Sequence, residues 1–560
     1  MNAQSPALQE VNKDQPAYLY LTLSVNRDAL ILLFFFVLVH LFYFPTWNAG
    51  FVADFTGLAG RIETHSFWNF LNSFDFPSLH PVLHLFSALF YKSFGVRGFP
   101  WYVIFTSFHI INAFMLFRIS RKLMRAFEVY QAEAIAFAGS LLFLLSPYAS
   151  EPVTWRFCFG FLLVSQFILA ILRHTIRWLE TGERRYQIFI LALLAAALFT
   201  SEQSLIIPLL TTALMLLWRT QFPSKGLLQV WFRQLLLPQL LLIAGWFILH
   251  KIILGIWAEL GDPAVYLTPA EILANNFKYL AKYLFFARYW EPSYKTMLFT
   301  GIDKSGWLFT FLFVALAFAY IWFYKKISPS VKLAGWFLLA FFIALLPVLH
   351  LHFNYLLQIE NDRYGYLPSL FFTLFLMTLI STFPRWLGYS FFAVYLSISG
   401  YYLQRTNHIW ADATKVYYSL LNDFRWYDKQ EVYVLNLPDN LQGSPLFRDY
   451  TRQDSTLKDA LRYIGRKPYN GIIHEVAQYN MTILSDGVSA ERKNNTTLFV
   501  TFNQSGNEWW RRGGVGAPAY EQEAFSFTPR GQSYELHLAK PSKSAVFIYQ
   551  KGGKWEQLKQ

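Results

Sequence analysis

About eleven apolar runs divide this chain, at 29–45, 99–117, 132–147, 156–172, 187–200, 203–218, 234–254, 305–324, 333–349, 367–383 and 387–403. Most of the charge sits between them. So many long apolar segments cannot share one water-soluble core, whereas a bilayer accepts each as a helix that satisfies its own backbone hydrogen bonds. Several runs fall short of the ~20 residues a crossing needs, so their ends are expected to reach into the flanking loops. Composition points the same way. Of 560 residues, 54% are hydrophobic, 19% aromatic and only 15% charged, a balance foreign to soluble globular chains. The first run, Ala29 to Phe44, has no small-residue cleavage site and is followed by further runs, so it is expected to remain as an uncleaved helix. Cys158 is the only cysteine, which excludes an internal disulfide.

Lysine and arginine orient the runs. Arg118, Arg121, Lys122 and Arg125 form one basic loop, Arg173, Arg177, Arg184 and Arg185 a second, Arg219, Lys225 and Arg233 a third, and Lys325, Lys326 and Lys332 a fourth. These loops share a side if the run 79–95 does not cross; short and amphipathic, it is expected to lie in the interface. The N-terminus is then cytoplasmic and the tail extracytoplasmic. Much of the net charge of +13 lies in these loops, where it suits anionic lipid. With no basic helix, zinc spacing or RNA-binding signature, no nucleic-acid partner is expected.

The division that follows is a cytoplasmic segment 1–28, an α-helical polytopic membrane domain 29–405 with a first outer loop at 46–98, and a small extracytoplasmic α+β domain at 406–560. The outer loop 255–304 is rich in Tyr279, Tyr283, Tyr289 and Trp290, a composition suited to lipid headgroups. Asp412 to Trp426 is amphipathic and expected to lie along the membrane. Beyond it a period of two predicts strands at 431–437, 497–502, 533–538 and 544–549. Ser455 reads as the N-cap of a short helix to Ile464, closed by Gly465.

Four charged residues on four turns share the outer side: Asp54, Glu151, Glu202 and Arg363. Asp54 lies just beyond the first run, where a carboxylate is partly desolvated and better suited to act as a base; the alternative is a solvated loop aspartate. Glu151 follows Pro147 and precedes Arg156, so the two either pair with each other or line a cavity. Glu202 sits in a tight hairpin where an unpaired acid is costly, which favours a polar cavity. Arg363, within Glu360 to Ser369, is the only basic residue of the outward turn 350–366. Its planar fork suits a phosphate, and Tyr364 and Tyr366 add hydroxyls; a snorkelling interfacial arginine is the other reading. His350 and His352, without acidic companions, read as structural rather than as metal ligands. His109 and Asn112 share a helix face and are expected to hydrogen-bond to a neighbouring helix.

In order along the chain, these motifs resemble the membrane part of GT-C fold glycosyltransferases, most of all bacterial relatives of the protein O-mannosyltransferases and of the tetratricopeptide-repeat transmembrane O-mannosyltransferases. The resemblance rests on Asp54 followed by His80-Pro81-Val82, on His109-Ile-Ile-Asn112, on Leu141 to Val153, on Thr200-Ser-Glu-Gln203 and on Asp362 to Ser369. It covers roughly 29–405. Two departures stand out: Ala53 occupies a position where the family often has a second acid, and no tetratricopeptide repeats follow the last run. The resemblance implies a polyprenyl-phosphate-linked sugar donor, an acceptor protein, lipid or glycan, and a bacterial inner membrane. It casts Asp54 as the base, Arg363 and Tyr364 as donor-phosphate ligands, and Glu151, Arg156, Glu202, Asp362 and His80 as cavity residues. No cofactor is required, although converging carboxylates leave room for a divalent metal. A flippase or transporter for lipid-linked sugars and a non-catalytic assembly scaffold are the readings from other classes. The topology makes a direct prediction: with Cys158 replaced by serine, a cysteine at position 54 is labelled by an impermeant maleimide from the extracytoplasmic side. Labelling from the cytoplasmic side alone refutes it.

Overall fold

A long apolar segment with no strand to pair with can satisfy its backbone only as a helix, and all eleven apolar runs are helical. The computed structural model describes residues 17–71, 79–257, 268–324, 326–351, 353, 359, 361–448, 456–503, 509–510, 520–521, 523–539 and 545–558. Its helices are α1 (Ala17–Tyr43), α2 (Asp54–Thr64), α3 (Phe67–Leu71), α4 (Pro81–Phe94), α5 (Gly98–Ala126), α6 (Ala132–Leu144) and α7 (Ser150–Thr154). There follow α8 (Phe159–Thr181), α9 (Arg184–Leu198), α10 (Ile207–Gln221), α11 (Leu227–Trp231), α12 (Leu237–Leu254), α13 (Pro269–Phe285) and α14 (Pro292–Lys304). The last are α15 (Gly306–Phe323), α16 (Pro329–Leu345), α17 (Tyr366–Ile380), α18 (Arg385–Asp423) and α19 (Thr456–Tyr463).

Among the described residues, seven helical segments are long and apolar enough to cross a bilayer: Arg27–Thr46, Gly98–Ala126, Arg156–Thr181, Glu202–Gln221, Leu227–Leu254, Pro329–Val348 and Asp362–Ile380. An eighth is added if α6 and the segment Pro147–Thr154, bent by 52°, count as one broken span. The chain is therefore a multi-pass membrane protein; among the described residues, seven or eight of the eleven apolar runs lie in segments long and apolar enough to cross. α9 shows why: its 15 residues stop short of the ~20 that span the hydrocarbon. α4, at 14 residues, is likewise not among the spanning helices, in keeping with an interfacial position.

The two ends of the bundle differ in chemistry. At one end Arg121 of α5 reaches Asp28 of α1 (2.8 Å) and Glu133 of α6 (3.4 Å), and Lys122 pairs with Glu180 of α8 (2.5 Å). These contacts gather the first two basic loops. The turns bearing Asp54, Glu151 and Arg363 lie at the other end. Between them, the His109 ring on α5 meets the Tyr366 hydroxyl (2.8 Å) and the Leu144 carbonyl (3.0 Å). Asn112 donates to the Leu162 carbonyl (3.0 Å) and to the Tyr366 hydroxyl (3.3 Å). The expected interhelical role of this pair is met, and it joins α5, α6, α8 and α17.

α18 runs unbroken for 39 residues, so the boundary expected at 405–406 falls inside a helix. Its last turns pack against the tail domain. Ser419 donates to the Gly553 carbonyl (2.8 Å), the Asp423 carboxylate accepts the Trp555 N–H (2.7 Å), and the Trp555 indole donates to the Leu420 carbonyl (2.8 Å). The apolar face read from sequence is thus covered by the tail domain.

The tail domain has strands β1 (Glu431–Val434), β2 (Leu437–Leu441), β3 (Ser444–Pro445), β4 (Ile472–Glu475), β5 (Gln478–Met481), β6 (Val488–Arg492) and β7 (Thr497–Phe502). The remainder are β8 (Trp509–Trp510), β9 (Tyr520–Glu521), β10 (Phe525–Arg530), β11 (Ser533–Leu538), β12 (Val546–Lys551) and β13 (Lys554–Gln557). They form three sheets, ordered β13-β12-β1-β4, β6-β7-β11-β10-β9 and β3-β2-β5-β8, with β1 parallel to both β12 and β4. Strands form at all four predicted places, but the 431–437 segment breaks at Leu435 and Asn436 into β1 and the start of β2, which belong to different sheets, and Ser544 lies outside the described residues. The predicted cap Ser455 lies outside the described residues, and the helix it was to begin is α19.

Tyr366, the first residue of α17, is the shared partner of His109 and Asn112, so its hydroxyl is a sensitive point. Tyr366→Phe leaves His109 and Asn112 short of a buried partner, at a cost of about 1–3 kcal/mol. A fall of several degrees in the thermal midpoint of the detergent-solubilised protein is expected; an unchanged midpoint contradicts the network.

Candidate functional site

Arg363 and Glu151 are the centre of the end that bears Asp54. Asp362 to Gly365 form a tight turn that opens α17, entered through Asn361 at φ +63°. Glu151 lies in the short α7, which follows Pro147. One Arg363 guanidinium nitrogen donates to Glu151 Oε1 (2.6 Å), and the Arg363 backbone N–H donates to Oε2 (2.6 Å). Both carboxylate oxygens are therefore claimed by one residue, which fixes the orientation of the guanidinium. The Arg363 guanidinium sits over the rings of Trp155 (5.1 Å) and Tyr364 (4.7 Å), and donates to the Tyr364 hydroxyl (3.3 Å). The Glu151 side chain is 2% exposed and that of Arg363 19%. The acid is enclosed; the cation keeps one open edge.

Asp54 is the first residue of α2. The loop that delivers it is held from beneath: the Trp155 indole donates to the Val52 carbonyl (3.1 Å), and the Arg156 N–H donates to the Gly50 carbonyl (3.1 Å). Gly50 has φ +92°, and a Cβ there would overlap the Thr154 carbonyl, so only glycine fits. Asp54 lies close enough to Arg363 for their charges to interact. Three turns distant in sequence thus present Asp54, Glu151 and Arg363 to one region.

Arg156 does not pair with Glu151. Buried at 1% exposure, it donates to the Val153 (3.1 Å) and Thr46 (3.2 Å) carbonyls and lies 5.2 Å from the Phe105 ring. Asp362 also faces inward. Its carboxylate meets Lys282 (2.5 Å) and Arg288 (3.3 Å), with all three side chains at 0–1% exposure. Burial pulls the Lys282 ammonium below its ordinary range, and Asp362 opposes that pull. Tyr148 donates to the Lys282 carbonyl (2.6 Å) and Tyr283 to the Gly365 carbonyl (2.6 Å). Tyr279, Tyr283 and Tyr289 are therefore buried behind Arg363, whereas their sequence suggested a place among headgroups.

His80 and Glu202 pair with each other at 3.0 Å, both partly exposed, beside the Leu79 N–H, which donates to His250 Nε2 (3.1 Å). His352 and Glu360 lie outside the described residues. Among the described residues no group of three histidine, cysteine or acidic side chains is arranged to hold a metal. Trp155, Lys282 and Arg288 went unmarked in the sequence. Trp155 had a faint signal, one helical turn beyond Glu151; the two cations had none.

No described family matches the sequence, and no curated protein does. Two solved structures are similar, both of ArnT from Cupriavidus metallidurans. The apo state matches at 11% identity over 80% of this chain and 89% of that one, with a TM-score of 0.41. The form bound to undecaprenyl phosphate matches at 11% identity over 83% and 94%, with a TM-score of 0.40.

The two ion pairs should respond differently to neutralisation. Asp362→Asn strands two enclosed cations and is expected to cost about 3–5 kcal/mol. Glu151→Gln is expected to cost less, about 1–3 kcal/mol, because Arg363 retains an open edge. Thermal unfolding of the two variants side by side checks the order, and a reversed order contradicts it.

Proposed function

We propose that this protein is a GT-C-type membrane glycosyltransferase that moves a sugar from a polyprenyl-phosphate donor to an acceptor hydroxyl at the extracytoplasmic face, with inversion. One observation carries the reading: Trp155 ties the loop that delivers Asp54 to Arg363, its indole donating to the Val52 carbonyl (3.1 Å) and its ring lying 5.1 Å from the guanidinium, at one end of an apolar bundle. The chemistry needs a base for the acceptor and a cation for the leaving phosphate, both outside the bilayer interior. A transporter would concentrate its ionisable groups near mid-depth. Here the charged side chains Glu151, Arg363, Asp362, Lys282 and Arg288 gather at one end of the bundle.

In the proposed reaction the acceptor hydroxyl gives its proton to the Asp54 carboxylate. Its oxygen attacks the anomeric carbon on the face opposite the phosphate, the new C–O bond forms, and the bond to the phosphate oxygen breaks. Polyprenyl phosphate departs and its growing charge meets Arg363. A phosphate leaves without protonation, so one carboxylate suffices where a glycosidase needs two. Glu151 holds the guanidinium in register, Tyr364 flanks it, and Glu202 and His80 contact sugar hydroxyls.

The test is transfer of labelled sugar from a polyprenyl-phosphate donor by purified protein. Asp54→Asn is expected to lower turnover by about 10²–10⁴-fold, with the donor still bound. Unchanged turnover in that variant removes Asp54 as the base.

A further inference from the structure

The turn that carries Asp54 is also gripped by the tail domain. Ala53 has φ +53° and ψ −128°, a conformation that a residue with a Cβ adopts only when its surroundings impose it. The Ala53 N–H donates to the Leu446 carbonyl (2.9 Å). Leu446 follows β3, in the hairpin formed by residues 437–448. That hairpin turns through Gln442 and Gly443, at φ +52° and +95°.

The hairpin is fastened by a buried charge. Arg448 donates twice to one Asp439 oxygen (2.8 and 2.5 Å), and Asn440 donates to the same atom (2.8 Å). The Asp439 carbonyl accepts the Leu446 N–H (2.7 Å), so the ion pair sets the carbonyl that holds Ala53. A second tie lies on the far side of Asp54. The Thr56 hydroxyl on α2 is 3.3 Å from the Tyr417 hydroxyl on α18, and the Tyr417 ring packs on Phe447 at 4.7 Å. Residues 53 and 56 thus flank Asp54, and both are anchored to the hairpin or to what packs against it. A cover with no further task would be as stable with apolar residues here, because enclosing an ion pair gains little net stability.

We propose that the 437–448 hairpin is part of the catalytic unit: it positions Asp54 through the Leu446 carbonyl, with Arg448 and Asp439 as positioning residues. The proposal rests on the assignment of Asp54 as the base. It makes the tail domain a working part of the membrane enzyme.

The test uses the full-length protein and two independent readouts. The first is amide exchange over residues 50–58, which needs no substrate. Arg448→Ala is expected to speed exchange there by about tenfold, the equivalent of one lost hydrogen bond. The second is transfer kinetics: kcat falls by about 10²-fold while the donor KM moves less than about threefold, as expected when a base is misplaced by an ångström. Arg448→Lys recovers most of the loss. Unchanged exchange over 50–58 overturns the proposal, as does a raised donor KM with kcat intact.

If Arg448→Ala loosens the whole chain, Tyr417→Phe decides, because it strands no charge. It should speed exchange in α2 alone and lower kcat to a smaller degree; no local change overturns the proposal. A wild-type protein that transfers no sugar ends the enzyme reading, while the exchange measurements still report on the tie between hairpin and α2.

Discussion

The end of this bundle that bears Asp54 is organised around one ion pair, Arg363 with Glu151. A carboxylate enclosed at a helix end is unfavourable unless it is paired and hydrogen-bonded. Glu151 meets both needs through one residue, which offers its guanidinium and its backbone N–H together. The pair joins the break after α6 to the start of α17, two segments more than 200 positions apart. Trp155 lies under the guanidinium and, through its indole, also holds the loop before Asp54. The position of the aspartate and that of the arginine therefore depend on the same few atoms.

Behind this pair lies a second, fully enclosed group, Asp362 with Lys282 and Arg288. It carries one more positive than negative charge, adjacent in sequence to Arg363. Its surplus favours anions in front of it, and its burial prevents the cations from turning outward to compete. The arrangement gives one cation an open edge and uses the others to set the field.

Much of this was legible in the sequence, and the reason differs by element. The helices were, because uninterrupted apolar runs have no other stable form in lipid. The pairing of His109 and Asn112 with a neighbour was, because a spacing of three puts both on one face. The strands were, because a period of two survives in short segments. The partner of Glu151 was not: Arg156 is nearer along the chain, and nothing local tells that its fork is used by the Val153 and Thr46 carbonyls instead. Nor was the fate of Tyr279, Tyr283 and Tyr289. An aromatic-rich outer segment has the same composition whether it faces headgroups or closes a buried polar cluster. The last turns of α18 failed for a related reason, since an amphipathic face does not reveal whether lipid or a sheet covers it.

The proposed chemistry accounts for why Arg363, rather than another part of the site, should keep an open edge. Before reaction the donor phosphodiester and Asp54 each carry one negative charge. After it Asp54 is neutral and the departing phosphate monoester carries the additional charge. The total is constant, but negative charge has moved from the aspartate to the phosphate. A cation placed at the phosphate is therefore stabilised more by the transition state than by the bound substrate, which is the condition for accelerating the step rather than tightening binding. Glu151 makes this effective by restraining the guanidinium beforehand, so that little reorientation accompanies the charge shift. Without that restraint, a long side chain at the interface would follow the charge only after losing its own conformational freedom.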